Sequence, residues 1–238
     1  MRPAIFLLLL VAGAGCGASS DDRLDVFAAS SLRDVLTHVD DGPRYTFAGS
    51  DELAAQIRDG AGADLFLSAS ERVAGELRAT GAVREPVVFA SNRLVVAVPR
   101  DNPGGVESLD DLARPGLKLV LAGDGVPVGE YARRLLAAAD LDAAHDNVVS
   151  LEQDVKGVLG KVALGEADAG IVYATDVRAA GDDVRALAVA PELQPEIGYY
   201  AAVVSDGDTA AAERYLERLL GEAGARALRG AGFLPPPR

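Results

Sequence analysis

Short apolar runs alternate with segments of helical spacing along nearly the whole chain, and this alternation limits the possible folds more than any other feature. LDVFAAS (24–30), PRYTFAGS (43–50), ADLFLSAS (63–70) and NRLVVAVPR (92–100) read as strands. Between them SLRDVLTHVD, SDELAAQIRDG (50–60) and SERVAGELRATG (70–81) carry apolar residues at helical intervals. Ser50 is expected to cap the second of these helices and Gly60 to stop it. The pattern resumes with strands at LKLVLAG (117–123), NVVSLEQ (147–153), DAGIVYATD (168–176) and IGYYAAVVS (197–205). Helices are expected at 108–116, 128–141, 154–167 and, as one long element, 208–232.

Such alternation means an α/β architecture with mostly parallel sheets. The strands are too many for one small sheet. PRDNPGG, after Pro99, and PELQPEIG (191–198) read as two hinge segments. Two crossings make the first lobe discontinuous. The expected division is residues 23–98 plus 199–238 for lobe 1 and 99–198 for lobe 2, with a ligand cleft between them.

The segment 1–22 reads differently. One positive residue, an apolar run from Ala4 to Ala12 and small residues ending at Cys16 fit a secretory signal, too short for a permanent membrane span. Cys16, the sole cysteine, stands where bacterial lipoproteins carry their lipid, so lipidation there and a tether over 17–22 are expected. A single cysteine excludes an internal disulfide and a thiolate zinc site. Two histidines, His38 and His145, leave little for a metal centre or a His-based triad. The formal charge of −13, with no Lys/Arg cluster, argues against nucleic-acid binding.

The ends of the strands hold the candidate site. VFAA runs into Ser30 and Ser31, TFAG into Ser50, and GIV into Tyr173; VPVG and Gln153-Asp154 precede two further helices. In an open α/β sheet such points gather at one edge. Helix N-termini expose unpaired N–H groups and a partial positive charge, so several aimed at one spot can hold an oxyanion without Lys or Arg. A donor-only wall suits a fully ionised tetrahedral dianion. Hydrogen phosphate, which carries a proton, wants an acceptor as well. The bland alternative is that each serine simply caps its helix.

VFAASSL (26–32), TFAGSDELAAQIRDGAGADLFLSAS (46–70), FASNRLVVAVPR (89–100), GDGVPVGEYAR (123–133) and EQDVKGVLGKVALGEADAGIVYATD (152–176) are collinear with segments of one family. Through them the chain resembles the periplasmic or lipid-anchored molybdate-binding proteins of ABC transporters. The resemblance implies a two-lobed type II periplasmic-binding-protein fold with two crossover segments. It implies a ligand set of Ser31, Ser50, the backbone N–H groups of Val128 and Val155, and the Tyr173 phenol, with Ser30 as a possible addition. It implies a monomer that takes up molybdate or tungstate outside the cytoplasmic membrane, without a cofactor or protein-bound metal, and delivers it to a permease and ATPase. Asp51 stands where the family often has Ser or Thr, and it is read as a helix-start residue pointing away. The alternatives are a carrier of sulfate or phosphate, a serine hydrolase using Ser30 or Ser31, and a structural lipoprotein. No G-x-S-x-G elbow supports the hydrolase.

Overall fold

The computed structural model describes residues 23–237, so the expected signal segment, Cys16 and the tether lie outside the described residues. Ten strands form two five-stranded sheets. The first contains β1 (Asp25–Ala29), β2 (Arg44–Ala48), β3 (Leu65–Ser68), β4 (Val87–Ser91) and β10 (Gly198–Val203), in the order β2-β1-β3-β10-β4. The second contains β5 (Leu94–Pro99), β6 (Leu119–Ala122), β7 (Val148–Glu152), β8 (Ala169–Tyr173) and β9 (Val184–Ala188), in the order β7-β6-β8-β5-β9.

Four strands of each sheet point the same way. The fifth is reversed: β10 is antiparallel to β3 and β4, and β5 is antiparallel to β8 and β9. β5 and β10 are the strands that follow the two crossings between sheets. Each is inserted inside the sheet it enters rather than added at its edge. β5 hydrogen-bonds only within the second sheet, so residues 94–98, expected in lobe 1, belong to the other sheet. The chain crosses at Asn92-Arg93, before the Pro/Gly-rich stretch, and returns between β9 and β10.

Burial follows position in the sheets. β3, β5 and β8 are buried throughout, as strands covered on both faces must be. The edge strand β7 is partly open, with Val149 and Leu151 exposed. The helices over the first sheet are α1 (Arg33–Val39), α2 (Ser50–Arg58) and α3 (Glu71–Ala79). Those of the second part are α4 (Pro127–Ala138), α5 (Val155–Ala163) and α6 (Ala174–Ala180). Leu53, Ala54 and Ile57 of α2 pack with Val73, Ala74 and Leu77 of α3 and with Phe27 and Phe66 of the sheet.

The single C-terminal helix expected from the sequence is two helices, α7 (Thr209–Leu220) and α8 (Glu222–Ala231). Gly221, at ψ 174°, leaves helical geometry and breaks the run. β9 lies in the polar stretch that periodicity left unassigned.

Candidate functional site

The first sheet delivers two serine turns. After β1 the chain makes a tight turn over Ser30–Leu32 before α1, and neither serine side chain caps a helix. After β2, Gly49 takes the cap position of α2, so Ser50 is its first helical residue and not its cap. Both points depart from the capping roles expected of these serines. Ser70 does cap α3, with its hydroxyl oxygen accepting from the Val73 N–H at 3.4 Å. The hydroxyls of Ser31 and Ser50 are therefore not consumed by helix starts.

The second sheet contributes the opposite wall. Pro127 opens α4, a favoured first position because its missing N–H costs nothing there. Val128 follows, and its N–H lies before the first intrahelical bond, Glu130 N–H to the Val126 carbonyl. Asp154 caps α5 by accepting from the Gly157 N–H at 2.9 Å, which leaves Val155 at the helix start with its own N–H free of the helix ladder. Tyr173 ends β8.

These elements meet. Ser30, Ser31, Ser50, Val128, Val155 and Tyr173 all border one small void of about 20 Å³, together with Ala29, Gly49 and Asp154. That is roughly the space of one water molecule. As it stands the void is far smaller than an amino acid or a sugar. Among the described residues no Lys or Arg borders it.

The polar groups facing this void are poised as donors. The Tyr173 hydroxyl is buried and has no hydrogen-bond partner among the described residues. Buried polar groups are almost always paired, so an orphan phenol at a void marks a place for a ligand. Burial pushes the Tyr173 phenol far above its ordinary range, so its proton stays in place. Ser50 Oγ accepts the Ala69 N–H at 3.0 Å, so its own hydrogen is left for another acceptor. Ser31 Oγ lies 2.9 Å from the Tyr199 hydroxyl, a partner that no local pattern signals.

Gly49 shows how closely the two parts approach. A Cβ there would sit 2.8 Å from the Gln153 carbonyl oxygen, across the cleft. Gly129, in the first turn of α4, has the same constraint: a Cβ would lie 2.4 Å from the Ala122 carbonyl oxygen. Only glycine lets these backbones come together.

Asp51 does not border the void. It lines a neighbouring open cleft with Glu52, Asp124 and Gln153. Burial raises its carboxyl above the usual range against the N–H groups at the start of α2, and Glu130 adds to the rise. Two charged links cross the cleft around the void. Arg72 on α3 pairs with Glu130 on α4 and donates to the Gly125 carbonyl at 3.3 Å. Lys156 on α5 reaches Asp34 on α1 at 2.5 Å and the fully buried Asp176 at 3.0 Å. Burial raises Asp176 to about 6, although Lys156 pulls it down. His38 and His145 are exposed, and the described residues contain no cluster of metal-ligating side chains.

Two five-stranded sheets that exchange one reversed strand each, with a donor-lined void between them, define a two-lobed solute carrier. Residues 24–234 match the model of the bacterial extracellular solute-binding protein family, and the chain belongs to that family. More particularly, the sequence is 35% identical to the molybdate-binding protein ModA of Mycobacterium tuberculosis over 252 aligned residues, covering 96% of this chain and 95% of that protein. The fold is similar to the substrate-binding domain of a putative molybdenum ABC transporter from Clostridium difficile (TM-score 0.65, 26% identity, 90% and 99% coverage). It is also similar to the Azotobacter vinelandii periplasmic molybdate-binding protein (TM-score 0.79, 21% identity, 90% and 100% coverage). Family membership makes the chain a solute-binding protein and not an enzyme, which removes the hydrolase alternative.

Proposed function

We propose that this protein captures molybdate, and the nearly isosteric tungstate, outside the cytoplasmic membrane. It presents the anion to the permease and ATPase of an ABC transporter, acting as a monomer held to the membrane by a lipid on Cys16. The ligands are the hydroxyls of Ser31, Ser50 and Tyr173 and the backbone N–H groups of Val128 and Val155, with Ser30 beside them.

The observation that carries this reading is the unpartnered, buried Tyr173 hydroxyl at a void with no cationic side chain. Hydrogen bonds to a charged group contribute about 1.5–3 kcal/mol each, so five together can offset the lost hydration of a dianion. The relatives named for molybdate favour that anion over its smaller analogues.

Isothermal titration with molybdate, tungstate, sulfate and phosphate tests it. Molybdate and tungstate are expected to bind at least ten times more tightly than the other two. At a hundredfold excess over Kd the ligand should stabilise the fold by about 2.7 kcal/mol. For a chain of this size that raises the melting temperature by roughly 5–10 °C. A clear preference for sulfate or phosphate would overturn the assignment.

A further inference from the structure

Behind Ser31 lies a hydrogen-bonded chain whose direction can be worked out. Tyr199, on β10, is fully buried. Its ring packs edge-on against Phe89 and Phe233 and tilts toward Tyr173, with centroids 6.1, 5.2 and 6.0 Å away. Its hydroxyl has two partners: Ser31 Oγ at 2.9 Å and Asn92 Nδ2 at 3.3 Å. Asn92 sits at the first crossing between the sheets. Its Oδ1 accepts the Arg93 N–H at 2.9 Å, and its Nδ2 also donates to Thr175 Oγ1 at 2.9 Å. The Arg93 bond fixes the amide orientation, so the group facing Tyr199 is the NH2, which only donates.

The accounting then has one solution. Tyr199 oxygen accepts from Asn92. Among the described residues the single Tyr199 hydrogen has one hydrogen-bonded acceptor, Ser31 Oγ. Pointing it elsewhere would leave a buried donor unpaired. Ser31 Oγ thereby accepts from Tyr199 with one of its two lone pairs, and the Ser31 hydrogen, which has no place at Tyr199, turns to the void. Ser50 is set the same way by the Ala69 N–H. The carboxylate at the wall, Asp154, is turned to the start of α5 as its cap.

We propose that the Asn92–Tyr199 relay aims the Ser31 hydrogen at the void, and that a hydroxyl held as a donor there biases the site toward fully deprotonated tetrahedral dianions over hydrogen phosphate. The inference rests on the oxyanion-carrier reading above. Tyr199 and Asn92 are positioning residues; neither borders the void.

The test is Tyr199→Phe, which keeps the aromatic packing and leaves Asn92 bonded to Thr175. The Ser31 hydroxyl is then free to rotate and to turn a lone pair toward a protonated oxyanion. Titrations with molybdate and with inorganic phosphate should show the molybdate-to-phosphate affinity ratio narrowing about tenfold or more. Most of the change should be a gain for phosphate. Asn92→Asp gives the same readout by another route: a carboxylate draws the Tyr199 hydrogen away from Ser31, so the ratio again narrows. It also carries the test should Tyr199→Phe not fold. A merely structural role would weaken both anions in step, and an unchanged ratio in whichever variants fold overturns the proposal. If the unsubstituted protein binds none of the four anions, the carrier reading itself fails. Tight molybdate binding with an unmoved ratio removes the relay alone.

Discussion

Replacing Tyr173 by Phe should move the stability of the empty protein and its affinity in opposite directions. The side chain is 1% exposed and its hydroxyl has no protein partner. A buried polar group left unsatisfied costs about 1–3 kcal/mol. The adjoining void is large enough for about one water, which relieves part of that cost, so the low end applies. Removing the oxygen should therefore stabilise the empty protein by about 1 kcal/mol, or roughly 2–4 °C in melting temperature. With the anion bound, the same change deletes a charge-assisted bond of about 1.5–3 kcal/mol, which is about a 10- to 150-fold loss of affinity. Scanning calorimetry of the empty protein and titration with molybdate measure the two halves. A lower melting temperature together with undiminished binding would refute the reasoning, because the phenol would then be a structural bond and not a ligand.

Gly49→Ala should weaken molybdate binding at least tenfold, because its methyl would press on the Gln153 carbonyl at 2.8 Å and hold the lobes apart. Small-angle scattering should show a smaller ligand-induced compaction than in the unsubstituted protein, and full compaction would count against it. Asp176 is raised from 3.8 to about 6, so the folded state binds a proton that the unfolded state releases in between. Its contribution to stability is complete below about 3.8 and is lost as pH rises through about 6. Asp176→Asn should remove that fall, on the order of 3 kcal/mol, from urea midpoints compared between pH 4 and pH 7. An unaltered pH slope would show that Asp176 does not titrate there.

The sequence makes the α/β alternation and the strand-to-helix turns readable because both are local. VFAASSL and TFAGS show where small residues and hydroxyls end a buried strand, and Tyr173 is visible at the end of GIVY. Their assembly around one void is not local, and the collinear resemblance suggested it where spacing was silent. The first crossing was misplaced because PRDNPGG has the composition of a hinge, whereas the real crossing, Asn92-Arg93, has neither Gly nor Pro. Tyr199 escaped notice for a related reason. It lies 168 residues from Ser31 and comes near only because β10 is inserted between β3 and β4. β9 was missed because VRALA is an edge strand, mostly exposed and without a strong apolar run.

That insertion also orders events in time. The first sheet has a gap between β3 and β4 until residues 198–203 have been made, so nearly the whole chain must exist before its amino-terminal half can close. Pairings of such long separation form slowly. The second sheet needs nothing beyond Ala188, so the half of the protein that begins first is the one completed last.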